Sequence, residues 1–250
     1  MFAVAVSALI LVAFAVAAAT LVTARRARVS VAAWPFFGLA AFALIESRLL
    51  VDTPSLADAL QANPSDATSS YISDRMSGLV IGAGVTMLGI ACAAVFFAGL
   101  ARQAWHVADS SIAPWLIAIG GAATVAVVGT GAGMFSILAD AASSHRAPTT
   151  VAAVYTVFDS LAYIGFTSVG LVTAGVAVAA FREQAFSRFV GWASAIASGL
   201  FLLCAFLPFV SWAPALLWLL VVGVALVIHE RPNARTLAPV DDVETSLSAG

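Results

Sequence analysis

Residues 77–100 read SGLVIGAGVTMLGIACAAVFFAGL, with no charged side chain in the stretch. As a helix it would be about 36 Å long at 1.5 Å per residue, enough to cross the roughly 30 Å hydrocarbon core of a bilayer. Its apolar residues follow neither the 3.6-residue stripe of a half-buried helix nor the alternation of a strand. A helix that is apolar all round is buried or faces lipid.

Six more runs of this kind flank it. The first is Phe2 to Val22, followed by Arg25, Arg26 and Arg28, and the second is about Val31 to Leu50. After residue 100 come Ile112 to Leu138, about Thr150 to Phe181, Phe189 to Phe209, and Trp212 to Ile228. The chain as a whole is 62% hydrophobic and 10% charged over 250 residues. Soluble domains carry about 25% charged residues, so a water-exposed fold would have too little polar surface to cover this one. The predicted fold class is therefore all-α: a polytopic membrane bundle of seven transmembrane helices, spanning residues 1–229. The basic residues follow the first apolar run rather than precede it, which predicts a retained helix and not a signal peptide.

Arginine placement orients the bundle. With the N-terminus outside, the inner side holds Arg25, Arg26, Arg28, Arg102, Arg182, Arg188, Arg231 and Arg235. The outer side holds Arg48, Arg75 and Arg146. Cytoplasmic loops carry this excess. Trp34, Trp105, Trp115 and Trp192 fall near the same inner boundary, where indole rings settle, and Trp212 falls near the outer one. The expected location is the plasma membrane, multi-pass, with the C-terminus cytoplasmic. Two longer polar stretches remain: an outer segment at 51–75 and a tail at 230–250, which is expected to be disordered.

The net charge of −2 excludes a nucleic-acid footprint. All eleven basic residues are arginine, so lysine Schiff-base chemistry is excluded as well. Cys92 and Cys204 lie inside apolar runs and are expected to act as small hydrophobes. No phosphate loop, zinc-binding helix or nucleophile elbow is present, and His145 with Asp140 is too few ligands for a metal. No cofactor and no metal are expected.

Ionisable groups in membrane helices are costly and mark function by default. Tyr155, Asp159 and Tyr163 are four residues apart in the fifth run and share one helix face. Glu46 and Arg48 lie at the outer end of the second run. These five residues belong to the outer half and are the candidate ligand-binding set: a shallow polar cavity for a small molecule or lipid, in a sensor or carrier. Counted back from Phe181, Asp159 falls at the outer interface; counted in from Thr150, it lies deeper. A second reading is a non-catalytic structural subunit of a membrane complex. Gly78 and Gly82, Gly129 and Gly133, or Gly191, Ala195 and Gly199 would then make close contacts with another chain or a second copy. Packing within the bundle explains the same spacing and is preferred. A lipid-modifying enzyme using Asp159 or Glu46 as acid or base is the weakest reading, because few titratable groups converge.

Seven helices with an outside N-terminus also form the layout of microbial rhodopsins, but the retinal lysine is absent. The sugar-transporting SWEET type shares the topology, and its Pro-Gln signature is missing. The stretch from Ser136 to Phe209 includes Asp159-Ser160-Leu161 and Phe186-Ser187-Arg188-Phe189-Val190-Gly191-Trp192. It resembles polytopic actinobacterial membrane proteins carrying a domain of unknown function. That resemblance implies an integral membrane protein and no particular activity.

Overall fold

The computed structural model describes residues 12, 14–19, 31–39, 41, 76–107, 111–143, 148–204 and 212–229. Among these the protein is all-α, with seven helical stretches and no strand. We label them α1 (14–19), α2 (31–39), α3 (Met76–Trp105), α4 (Ala113–Ser143), α5 (Pro148–Arg182), α6 (Arg188–Cys204) and α7 (Trp212–His229). Among the described residues, two segments are long and apolar enough to cross a membrane, Gly84–Trp105 and Ala113–Gly131. Thr167–Arg182, Arg188–Cys204 and Ala213–Ile228 are apolar but shorter. Glu46, Arg48, the 51–75 segment, His145, Arg146 and the 230–250 tail lie outside the described residues.

Two helices run on past the ends of their apolar runs. α3 continues past Leu100 to Trp105, through Arg102 and Gln103. Both are good helix formers, and the arginine complements the negative end of the helix dipole. α4 likewise runs on to Ser143, so Asp140, expected in a loop, belongs to a helix. α6 is described from Arg188 to Cys204, and its expected continuation to Phe209 lies outside the described residues. Serines begin two helices. Ser111 Oγ accepts from the Ala113 N–H at 3.1 Å, and Ser187 Oγ from the Val190 N–H at 3.4 Å.

The helices close into a ring. Phe37 of α2 meets Phe97 of α3 edge-on at 5.5 Å. Phe97 also lies over Gly121 of α4. α4 and α5 pack along their length as an antiparallel pair, α6 lies on α5, and α7 on α6. α7 returns to α2, where Gly223 faces the indole of Trp34. Phe14 of α1 packs edge-on to that indole at 5.3 Å. One apolar cluster runs through the ring from Phe14 to Leu226.

Trp34 corrects the sequence reading. It was expected at the interface, but it is 1% exposed and sits in the core. Trp115 and Trp192 are exposed, as interfacial rings should be. Cys92 and Cys204 are free and half-buried, as expected of small hydrophobes.

Large apolar side chains line the exterior as well as the core. Leu88, Ile119, Phe189, Ile196, Leu202, Leu203, Leu217 and Ile228 all face outward. The buried polar side chains among the described residues are hydroxyls: Thr86, Thr124, Thr173 and Ser194. Two of them join helices. Trp218 Nε1 donates to Ser194 Oγ at 2.9 Å, tying α7 to α6. Thr124 Oγ1 and Ser168 Oγ lie 2.8 Å apart, tying α4 to α5. Each hydroxyl also reaches its own helix, at Gly120 O (2.8 Å) and Gly165 O (2.6 Å). A hydroxyl has one proton, so while one residue donates across, the other donates to its own carbonyl. A double-mutant cycle on Thr124→Val and Ser168→Ala should give a coupling of about 0.6 kcal/mol, and below about 1.7, as for other hydrogen bonds between membrane helices. Unfolding in denaturing detergent reads it; zero coupling would mean the pair is not formed.

Candidate functional site

Tyr155, Asp159 and Tyr163 lie on α5, whose backbone is continuous from Pro148 to Arg182. α5 is held from two sides. On one, Ser168 meets Thr124 of α4. Gly175 abuts Ile117, and Gly165 abuts Val127 and Val128 of the same helix. On the other side, Gly170 approaches Phe201 and Ala180 approaches Gly191, both of α6. At 100° per residue, position 159 is opposite Ser168 on the helix wheel, and positions 155, 159, 163 and 170 fall within about 80°. The candidate triad therefore shares the face of α5 on which α6 packs.

The register then decides how far that cover extends. The approaches of Gly170 to Phe201 and of Ala180 to Gly191 both fit one antiparallel register. In it Cys204, the last residue of α6, is level with Thr167. Tyr163 lies about one turn beyond that level, Asp159 about two and Tyr155 about three. The triad's positions thus lie beyond the level of the last described residue of α6. Glu46 and Arg48, the other two candidates, lie outside the described residues.

The opposite end of the ring is where the helices align. Gln103 Nε2, near the end of α3, donates to Ala185 O in the α5–α6 turn at 3.0 Å. Trp105 and Trp115 meet edge-on at 5.4 Å across the α3–α4 connection. From this shared end the described spans of α3, α4 and α5 measure about 45–52 Å, and those of α6 and α7 about 26 Å. Asp159 stands about 34 Å along α5 from Arg182. The count from the Arg182 end therefore puts it beyond a 30 Å hydrocarbon core.

The α5–α6 turn carries the described residues' one orphaned carboxylate oxygen, Glu183 Oε2, which is buried and has no hydrogen-bond partner. Burial pushes this carboxyl above the ordinary 4.5, and Arg182 beside it pulls the other way. A raised folded-state pKa favours the protonated form on folding. Its contribution is full below the unfolded value and is lost as pH rises through the folded one. Thermal stability should therefore gain a small increment on acidification through the carboxylate range, and Glu183→Gln should remove it. An unchanged slope in the variant would rule Glu183 out as the source.

Among the described residues no group of three or more His, Cys, Asp or Glu side chains is placed to hold a metal. No family model, curated protein or solved structure matches the chain.

Proposed function

We propose that the protein is a multi-pass plasma-membrane bundle that binds a small molecule or lipid in its outer half, as a sensor or carrier. The observation that carries this reading is the shared α5 face of Tyr155, Asp159 and Tyr163, placed about one to three turns beyond the level of the last described residue of α6. Two tyrosines and a carboxylate on one face offer hydroxyl donors, acceptors and a negative charge together. A membrane setting is supported by the apolar exterior described above and by the two described segments long and apolar enough to cross a bilayer. Glu46 and Arg48 extend the proposed site from α2's side of the sequence.

The test is a mass-spectrometric survey of small molecules and lipids released from the purified protein. A compound retained by the native chain and lost from Asp159→Ala and Tyr163→Phe supports the site. If both variants retain the same compounds at the same occupancy, the site is elsewhere.

A second reading, a structural subunit of a membrane complex, draws on glycines that meet no described neighbour. A Cβ at Gly84, Gly133 or Gly199 would have nothing within 4 Å. Such positions admit the close approach of another helix. Gly191, in contrast, is used within the bundle, against Ala180 and Phe181.

A further inference from the structure

We propose that the α5–α6 turn is a binding rim for the headgroup of an anionic phospholipid. The proposal rests on the membrane reading above and adds a ligand at the other end of the bundle. Arg182 closes α5 and Arg188 opens α6, and both are exposed. Beside them stand Phe181 and Trp192, edge to face at 5.2 Å, and Phe189. Phe189 is 61% exposed and Trp192 is 63% exposed, so the ledge is apolar next to two cations.

The turn that carries this ledge is fixed. Gln184 takes the left-handed conformation at φ 58°, and the Ala185 N–H returns to Ala179 O at 3.0 Å. Gln103 clamps Ala185 from α3. The two arginines are thus presented from a set backbone rather than from a wandering loop. Within the turn the single acid is Glu183, one of whose carboxylate oxygens is buried.

Charge complementarity and the aromatic ledge point to one occupant. Guanidinium forks match phosphate oxygens bidentately. Aromatic rings settle at headgroup depth, with their apolar bodies toward the acyl chains. A zwitterionic headgroup brings its own cation up to two guanidinium groups, which repel it. Phosphatidylglycerol should therefore outcompete phosphatidylcholine.

Native mass spectrometry of the detergent-solubilised full chain, with equal amounts of the two lipids, reads this. The native protein should retain phosphatidylglycerol in preference. An Arg182→Gln/Arg188→Gln double variant should lose about tenfold of that preference, and Arg146→Gln should keep it. No preference in the native chain, or equal loss in Arg146→Gln, would overturn the rim. So would displacement of the lipid by inorganic phosphate at matched concentration, which would indicate a soluble-anion site. Melting curves of all variants check that the fold is intact. Carbonate extraction separates the two proposals: a chain that leaves the membrane refutes the bundle, and one that stays without lipid preference refutes only the rim.

Discussion

Replacing Gly175 with leucine is expected to unfold the α4–α5 pair, whereas the same replacement at Gly133 is expected to be silent. A Cβ at Gly175 would lie 2.8 Å from Ile117 Cγ1, 2.9 Å from the Ala113 carbonyl oxygen and 3.0 Å from the Ile117 nitrogen. Two of those three atoms are backbone and cannot swing aside. The helices must separate, which breaks the packing that runs along both of them. Overpacking of a tight core costs about 1–3 kcal/mol and sometimes more. Leucine at a site with no room for its first carbon belongs at the upper end. At Gly133 a Cβ meets nothing within 4 Å, so the change should stay within about 0.5 kcal/mol. Recovery of monodisperse protein and the midpoint of unfolding in denaturing detergent are the readouts. Equal behaviour of the two variants would mean that α4 and α5 do not meet at Gly175.

Trp34→Ala should cost about 3–5 kcal/mol, the range for removing a large aromatic from a packed core. The indole is 1% exposed and joins three helices, with Phe14 of α1 on its edge and Gly223 of α7 against its face. A Cβ at Gly223 would stand 2.5 Å from Trp34 Cδ2, so the fit depends on both residues. Trp34 Nε1 is buried without a partner, which makes the N–H a liability in this site. Trp34→Phe removes that donor and keeps a ring, so it should recover most of the loss. A Trp34→Ala protein that melts with the native chain would show that α2 does not seat against α7.

Much of the bundle was legible in composition. The run at 77–100 lies inside α3, the run at 112–138 coincides with α4 within a few residues, and the run from Trp212 coincides with α7. Apolarity marks where a helix can sit in lipid but not where it stops, so α3 and α4 run on to Trp105 and Ser143 by local propensity. Spacing by four found Gly191 but missed Gly170 and Gly175, which are five apart. They serve different neighbours, because α5 lies between α4 and α6. A single-face rule has no means of finding contacts on two faces. The hydroxyl links through Thr124, Ser168 and Ser194 were likewise silent, since serine and threonine occur throughout such helices.

The shared face of Tyr155, Asp159 and Tyr163 could be read from spacing alone. Its level against α6 could not, because that depends on the register between two helices. Trp34 shows the same limit: an indole near a helix start is equally suited to an interface or a core, and only the return of α7 to α2 decides between them.

The central claim is that these helices cross a membrane in alternation, with the Arg182–Arg188 turn inside. Single cysteines placed at Ser144, between α4 and α5, and at Val107, after α3, test it in a chain with Cys92 and Cys204 replaced by alanine. A membrane-impermeant maleimide applied to intact cells should label position 144 and leave position 107 unlabelled until the membrane is opened. Labelling of both positions in intact cells, or of position 107 alone, would contradict the account.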